Sequence, residues 1–184
     1  MEADVQPPRP ALMKGIAVAL QMLIYTRGPI GHDAAFDERG YPLGGDPLLL
    51  FRQALVPPRA ALRVFVRDLC THLELSEAEL VTSYVLLERA LRRKKCQLRP
   101  HTVRPLMIAA LCISMKICTD LDEHLSEWVG LFALCGFDVA VRRLGRMERL
   151  MLHMLDHRMS LNPQQYEIYE HELLQAGGGA SAAA

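Results

Sequence analysis

The sequence of 184 residues lacks an excess of either charge, because 21 lysines and arginines balance 21 aspartates and glutamates. Nucleic-acid-binding proteins usually carry a basic excess that neutralises phosphates, so we do not expect a nucleic-acid partner. Aromatic residues make up only 6% of the chain, whereas 51% is hydrophobic, which predicts an aliphatic core. No segment alternates as a half-buried β-strand does, and no uncharged run approaches the roughly 20 residues that span a membrane. We therefore predict an all-α protein that does not bind a membrane.

The sequence also lacks the motifs of the common catalytic and metal sites. It has no G-x-S-x-G, no glycine-rich phosphate loop and no paired-carboxylate motif, so we predict no enzyme activity, no cofactor and no small-molecule substrate. His153 and His157 have the i, i+4 spacing that zinc sites use, but no third ligand is evident and we predict no metal site. An odd number of cysteines without a C-x-x-C pair, five in all, indicates a protein of the cytoplasm or nucleus with reduced thiols.

The N-terminal part is rich in proline and glycine. We predict a flexible segment over residues 1–56, with a leading helix over 11–26 and a long loop over 27–47. This loop exceeds the usual connection of about 4–6 residues, which indicates that it is either mobile or functional. At the other end, residues 175–184 form a low-complexity stretch that we predict to be disordered.

Residues 57–174 have the pattern of successive helices. Ser76 and Glu79 have the spacing of a capping box, which predicts a helix that runs to about Lys94. The stretch from 102 to 118 is predicted to be the central helix of a bundle, because it has no charged residue between Arg104 and Lys116.

A short helix is predicted around 126–134, after the central helix, and two more helices are predicted to follow it. Asp138 is the expected N-cap of the first, which runs to about Asp156. The second follows Asn162-Pro163 and is expected to end at the glycines that begin with Gly177. Trp128 has two interpretations, as a packing residue or as an exposed binding residue.

Three motifs in this region resemble signatures of the cyclin box. They follow one another at nearly the family's spacing: Tyr84-Val-Leu-Leu-Glu88-Arg89, Ala109-Ala110-Leu-Cys-Ile-Ser-Met-Lys116 and Leu144-Gly-Arg-Met147-Glu148. The resemblance implies a single cyclin box, a five-helix bundle around a central apolar helix, with flanking N- and C-terminal helices. Within cyclins the chain looks most like the Pho-type group, which is related to the plant P/U-type single-box cyclins.

The resemblance implies a regulatory subunit that binds and activates a cyclin-dependent kinase by positioning the kinase's αC helix. Lys116 and Glu148 would form a charged pair at the docking face, although the same two residues could be a structural salt bridge. Glu88-Arg89 is expected to tie helices together. The alternative is a cyclin-fold adaptor, or a transcription-factor-like module, that binds no kinase. The other residues that the family places against the kinase correspond to Ile113, Ile117, Asp120, Leu152, His157 and Met159.

Overall fold

The computed structural model describes residues 7–25, 33–40, 59–94, 96–119 and 125–179. These residues form α-helices and two short 3-10 helices, with no strand among them, which confirms the all-α prediction. The seven α-helices, in chain order, are α1 Pro10–Tyr25, α2 Arg59–His72, α3 Glu77–Lys94, α4 Pro100–Cys118, α5 Leu125–Leu134, α6 Val141–Met154 and α7 Pro163–Gly179. Much of the predicted 27–47 loop, Asp120 and the end of the tail lie outside the described residues.

Helix α4 is the centre of the bundle, as its uncharged sequence predicts. Nearly every residue from Pro100 to Met115 is buried, and the helix packs against α3, α6 and α1. By length and composition alone it could cross a membrane, but 78% of its apolar window is buried inside the fold. A helix that is apolar on all sides is covered by its neighbours at the centre of a bundle, and α4 is covered in this way.

Helix α3 begins where the capping box predicts. The Ser76 backbone N–H donates to Glu79 Oε2 over 2.7 Å, and the Glu79 N–H donates to Ser76 Oγ over 3.3 Å. These two hydrogen bonds satisfy backbone donors that have no partner within the helix. The sequence therefore predicted the start of α3 from two side chains alone.

The limits of α6 differ from the prediction. Ala140, and not Asp138, is the N-cap residue, and its carbonyl accepts from the Leu144 N–H over 3.0 Å. The helix ends at Met154, and Asp156 and His157 have left-handed φ angles of 49° and 56°. Because the chain turns there, His157 does not share a helical face with His153, and the predicted i, i+4 pair is not formed.

Helices α1 and α7 pack closely through two glycines. A Cβ atom added to Gly15 would lie 1.8 Å from the Leu173 carbonyl oxygen, and one added to Gly177 would lie 1.8 Å from that of Ala11. Helix α7 ends at Gly179, within the glycine run where it was expected to end, so residues 175–179 of the predicted tail are helical. Glycine permits this approach of the two backbones because it has no side chain.

The described part of the predicted long loop is ordered by packing. Its two 3-10 helices, Ala34–Phe36 and Glu38–Gly40, lie against α4, and Phe36 is buried. Glu38 Oε2 accepts from Arg104 Nε over 2.8 Å, and both side chains are fully buried. Arg104 also donates to the Gly136 carbonyl over 3.1 Å. A charged pair from two distant segments therefore fastens this segment to the central helix.

Candidate partner-binding site

Lys116 and Glu148 meet at the surface across two neighbouring helices. Lys116 lies in the last turn of α4, where a cation is favoured by the helix dipole, and Glu148 lies in α6. The Lys116 ammonium donates to Glu148 Oε1 over 2.5 Å. The lysine side chain is 38% exposed and that of the glutamate 13%. The family resemblance implied this pair, whose members are 32 residues apart in the sequence.

The ring of Trp128, in α5, lies next to the Lys116 side of this pair. Its ring centroid lies 5.7 Å from Lys116 Nζ, within the range of a cation–π interaction. The indole is only 2% exposed, so the packing interpretation of Trp128 is correct. The Trp128 side chain therefore packs within the fold, next to the Lys116 ammonium group.

The other residues proposed for this site occupy different environments. Ile117 is 45% exposed beside Lys116, and Leu152 is half-buried on α6. Ile113 differs from the expectation, because it is 2% exposed and packs in the core of the bundle. Asp120 lies outside the described residues, so its placement stays a prediction.

The segment after α6 carries the two remaining candidates. His157 is exposed, and Met159 is half-buried against the core. Arg89 of α3 donates to the carbonyls of Arg158 and Ser160 over 3.1 and 3.0 Å. Arg89 thus holds the backbone on both sides of Met159. This contact agrees with the structural role expected of the Glu88-Arg89 motif.

Glu88 connects α3 to α7. Its carboxylate accepts hydrogen bonds from the Tyr169 hydroxyl and, over 2.6 Å, from Arg92. Burial, followed by the hydrogen bond to Glu88, raises the pKa of Tyr169 to about 12. The phenol therefore stays protonated and continues to donate at neutral pH.

Sequence reasoning missed one residue on the surface of α6. Val141 is 44% exposed and lies seven positions before Glu148. Residues at this spacing share a helix face, so Val141, Glu148 and Leu152 form one stripe. The seven-residue spacing from Glu148 was the sequence signal that could have identified Val141, and it would have extended the candidate site by two turns of α6 toward the N-terminus of the helix.

A second ion pair lies near the other side of α6. Arg146 donates to Asp33 over 3.0 Å, and the Ala35 backbone N–H donates to the same carboxylate over 2.8 Å. The hydrogen bond from Ala35, and then that from Arg146, lowers the pKa of Asp33. The carboxylate therefore remains ionised and ties the 33–40 segment to α6.

The thiols and histidines form no reactive cluster in the described part of the chain. Burial raises the pKa of Cys70 and Cys135 to about 12, so both thiols are protonated at neutral pH. Cys118 is exposed at the end of α4. Among the described residues, no group of three His, Cys, Asp or Glu side chains could hold a metal ion.

Comparison with known protein families agrees with this geometry. The family model described as "Cyclin, N-terminal domain" matches residues 52–160. This range covers more than half of the chain and includes both Lys116 and Glu148. No solved structure matches the chain. The match, together with the helical bundle and its central apolar helix, shows that the chain belongs to the cyclin family.

Proposed function

We propose that this chain is the regulatory subunit of a cyclin-dependent protein kinase and that it binds the kinase through the Lys116–Glu148 surface. The observation that carries the proposal is the position of this pair. The pair lies at the surface where α4 and α6 meet. The chain belongs to a family of regulatory subunits that have no catalytic activity of their own.

The pair has hydrogen-bonding capacity to offer a partner. An ammonium group has three donors, and a carboxylate has two acceptor oxygens. Within the described residues the one hydrogen bond between side chains of the pair joins Lys116 Nζ to Glu148 Oε1. The ends of a helix expose carbonyl and N–H groups without partners in the helix. A lysine and a glutamate side by side can therefore bind both kinds of group on a partner helix.

The apolar surroundings supply the contact area. Ile117, the residue after Lys116, is 45% exposed, and Val141, on the same face of α6 as Glu148, is 44% exposed. Charged groups at such a surface contribute orientation and specificity, whereas the apolar side chains contribute burial. A kinase αC helix held this way would keep its glutamate paired with the lysine that binds the ATP phosphates.

We extend the proposal to the Pho-type subgroup and to a complex in the cytoplasm or nucleus. Helices α1 and α7 flank one bundle and pack against each other, which suits a single-box cyclin. All five cysteines are free thiols, as suits a reducing compartment. The alternative is a cyclin-fold adaptor that binds DNA instead of a kinase. Its DNA affinity would fall steeply with salt concentration.

A pull-down with the full chain as bait tests the proposal. We expect the wild type to recover a cyclin-dependent kinase from extract, and both Lys116→Ala and Glu148→Lys to lose it. The matched control is Glu74→Lys, a reversal at an exposed turn residue. Circular dichroism should give the same helical content for all four proteins. Equal kinase recovery by the site variants would contradict the docking assignment.

A further inference from the structure

A second set of exposed apolar side chains lies on helices that do not form the Lys116 site. Met22 and Tyr25 on α1 are each 61% exposed, and Ile168 on α7 is 56% exposed. Large exposed apolar side chains that cluster, instead of occurring singly, mark interaction surfaces. The cluster is separate from the proposed kinase surface, which is built on α4 and α6.

Met22 and Ile168 line a groove between α1, α3 and α7. Its volume is about 600 Å³, within the range of roughly 300–1,000 Å³ that binding pockets have. Tyr84 and Tyr169 also line it, with their rings in an edge-to-face arrangement and their centroids 6.3 Å apart. The remaining apolar lining includes Leu23 and Leu173. The groove therefore has an aromatic pair and aliphatic side chains in its walls.

The ends of the lining are eight residues apart along α3, from Tyr84 to Arg92, and eight residues apart along α7, from Ile168 to Ala176. At a rise of about 1.5 Å per residue, each wall is about 12 Å long. This length corresponds to about two turns of a helix. The groove is therefore long enough for a short amphipathic helix, and too short for a whole domain.

The charges of the groove favour a cationic ligand. The lining residues of α1 are uncharged, and the charged residues in the lining are Glu88 and Arg92 of α3 and Glu172 of α7. The Arg92 side chain is 74% exposed but pairs with the Glu88 carboxylate over 2.6 Å, so these two charges compensate each other and Glu172 leaves the groove with a net negative charge. Glu172 is exposed at the same groove. A ligand with lysine or arginine beside its apolar anchors complements this carboxylate, whereas an acidic one is repelled.

We propose that the groove between α1, α3 and α7 binds a short helical segment of a second protein, with apolar anchors flanked by lysine or arginine. Helices present such anchors at i, i+3, i+4 and i+7, a recurrent mode of peptide recognition. Because α1 and α7 carry most of the groove and the Lys116 site is on α4 and α6, the chain can bind this segment and its kinase together.

A fluorescence anisotropy titration tests the proposal with two defined peptides. The probe is a labelled helical peptide of about twelve residues, with leucines on one face and arginines beside them. The matched peptide has glutamate in place of every arginine. We expect the arginine peptide to bind the full chain with a Kd below about 1 mM and the glutamate peptide to bind at least about tenfold more weakly.

Variants locate the binding. We expect Glu172→Lys to weaken binding of the arginine peptide by about five- to tenfold, and the control Glu167→Lys, on the same helix but outside the groove, to leave it unchanged. Ile168→Ser should weaken it by a similar factor, whereas Leu134→Ser, at a residue 62% exposed on α5, should not.

The proposal is overturned if the arginine peptide does not bind, if both peptides bind equally, or if the control variants weaken binding as much as the groove variants. Lys116→Ala is expected to bind the peptide like the wild type. Failure of the groove therefore leaves the proposed kinase docking unaffected, and failure of kinase docking leaves the groove unaffected.

Discussion

The close approach of α1 and α7 predicts a large penalty for adding one methyl group to Gly15. The new Cβ would lie 1.8 Å from the Leu173 carbonyl oxygen, whereas real Cβ atoms essentially never approach a non-bonded heavy atom more closely than 3.0 Å. The two backbones must therefore separate by about 1.2 Å, which disturbs the packing of the buried Leu12 and Ile16.

The free energy of unfolding follows from two opposing terms. Alanine gains about 1 kcal/mol over glycine in a helix, whereas overpacking that moves the backbone costs about 2–3 kcal/mol, the upper part of the usual range. We expect Gly15→Ala to be destabilised by about 1–2 kcal/mol. The matched control is Gly130→Ala, because a Cβ at Gly130 meets nothing within 4 Å. This control should be stabilised by about 1 kcal/mol.

Thermal unfolding followed by circular dichroism measures the difference. For a chain of this size, 1 kcal/mol shifts the Tm by about 2–4 °C, so the two variants should differ by about 4–12 °C. If Gly15→Ala is as stable as Gly130→Ala, the two helices do not pack at this distance and the reasoning is refuted.

Two further predictions concern ion pairs. Arg104→Met should destabilise the chain by about 3–5 kcal/mol in urea unfolding, because it leaves the buried Glu38 carboxylate without its cation. The double variant with Glu38→Leu should recover most of this loss, and no recovery would show that the two residues do not act as a pair. The hydrogen bond from Arg9 lowers the pKa of Glu77. The stabilisation that the Arg9–Glu77 interaction gives the folded chain is therefore complete above the ordinary pKa of 4.5 and is lost as the pH falls through the lower pKa of the folded state. The Tm of Arg9→Gln should therefore fall less than that of the wild type between about pH 5 and 3, and parallel curves would contradict this.

The helices were predictable because their signals are local. The Ser76–Glu79 capping box and the uncharged stretch of α4 each depend on residues close in sequence. The start of α6 was predicted two residues early, because Asp138 is a strong N-cap residue and Ala140 is not. The N-cap at Ala140 makes no side-chain hydrogen bond to the helix, so the side-chain preference that predicts Asp138 does not determine this helix start.

Features that depend on tertiary contact were not predictable from the sequence. Glycine near the end of a helix usually indicates a C-terminal cap, but Gly177 lies within α7, where the α1 backbone leaves no room for a side chain. The burial of Glu38 depends on Arg104, which is 66 residues away. The Lys116–Glu148 pair was anticipated from motifs that resemble a known family, and not from any local pattern.

The central claim is that Lys116 and Glu148 bind a partner and do not merely hold two helices together. The charge swap Lys116→Glu with Glu148→Lys tests it most directly, because it keeps an ion pair between α4 and α6 while reversing what a partner meets. A matched control swaps the pair Arg67 and Asp68 on α2, whose side chains are 62% and 23% exposed.

The measurement is the affinity of each full-length protein for the cyclin-dependent kinase that the wild type recovers. We predict that the Lys116–Glu148 swap folds with the helical content of the wild type but binds at least about thirtyfold more weakly, since disrupted interfacial charge contacts cost about 2–5 kcal/mol. The control swap should bind like the wild type. Kinase binding by the Lys116–Glu148 swap that equals wild-type binding would contradict the account and assign the pair a structural role.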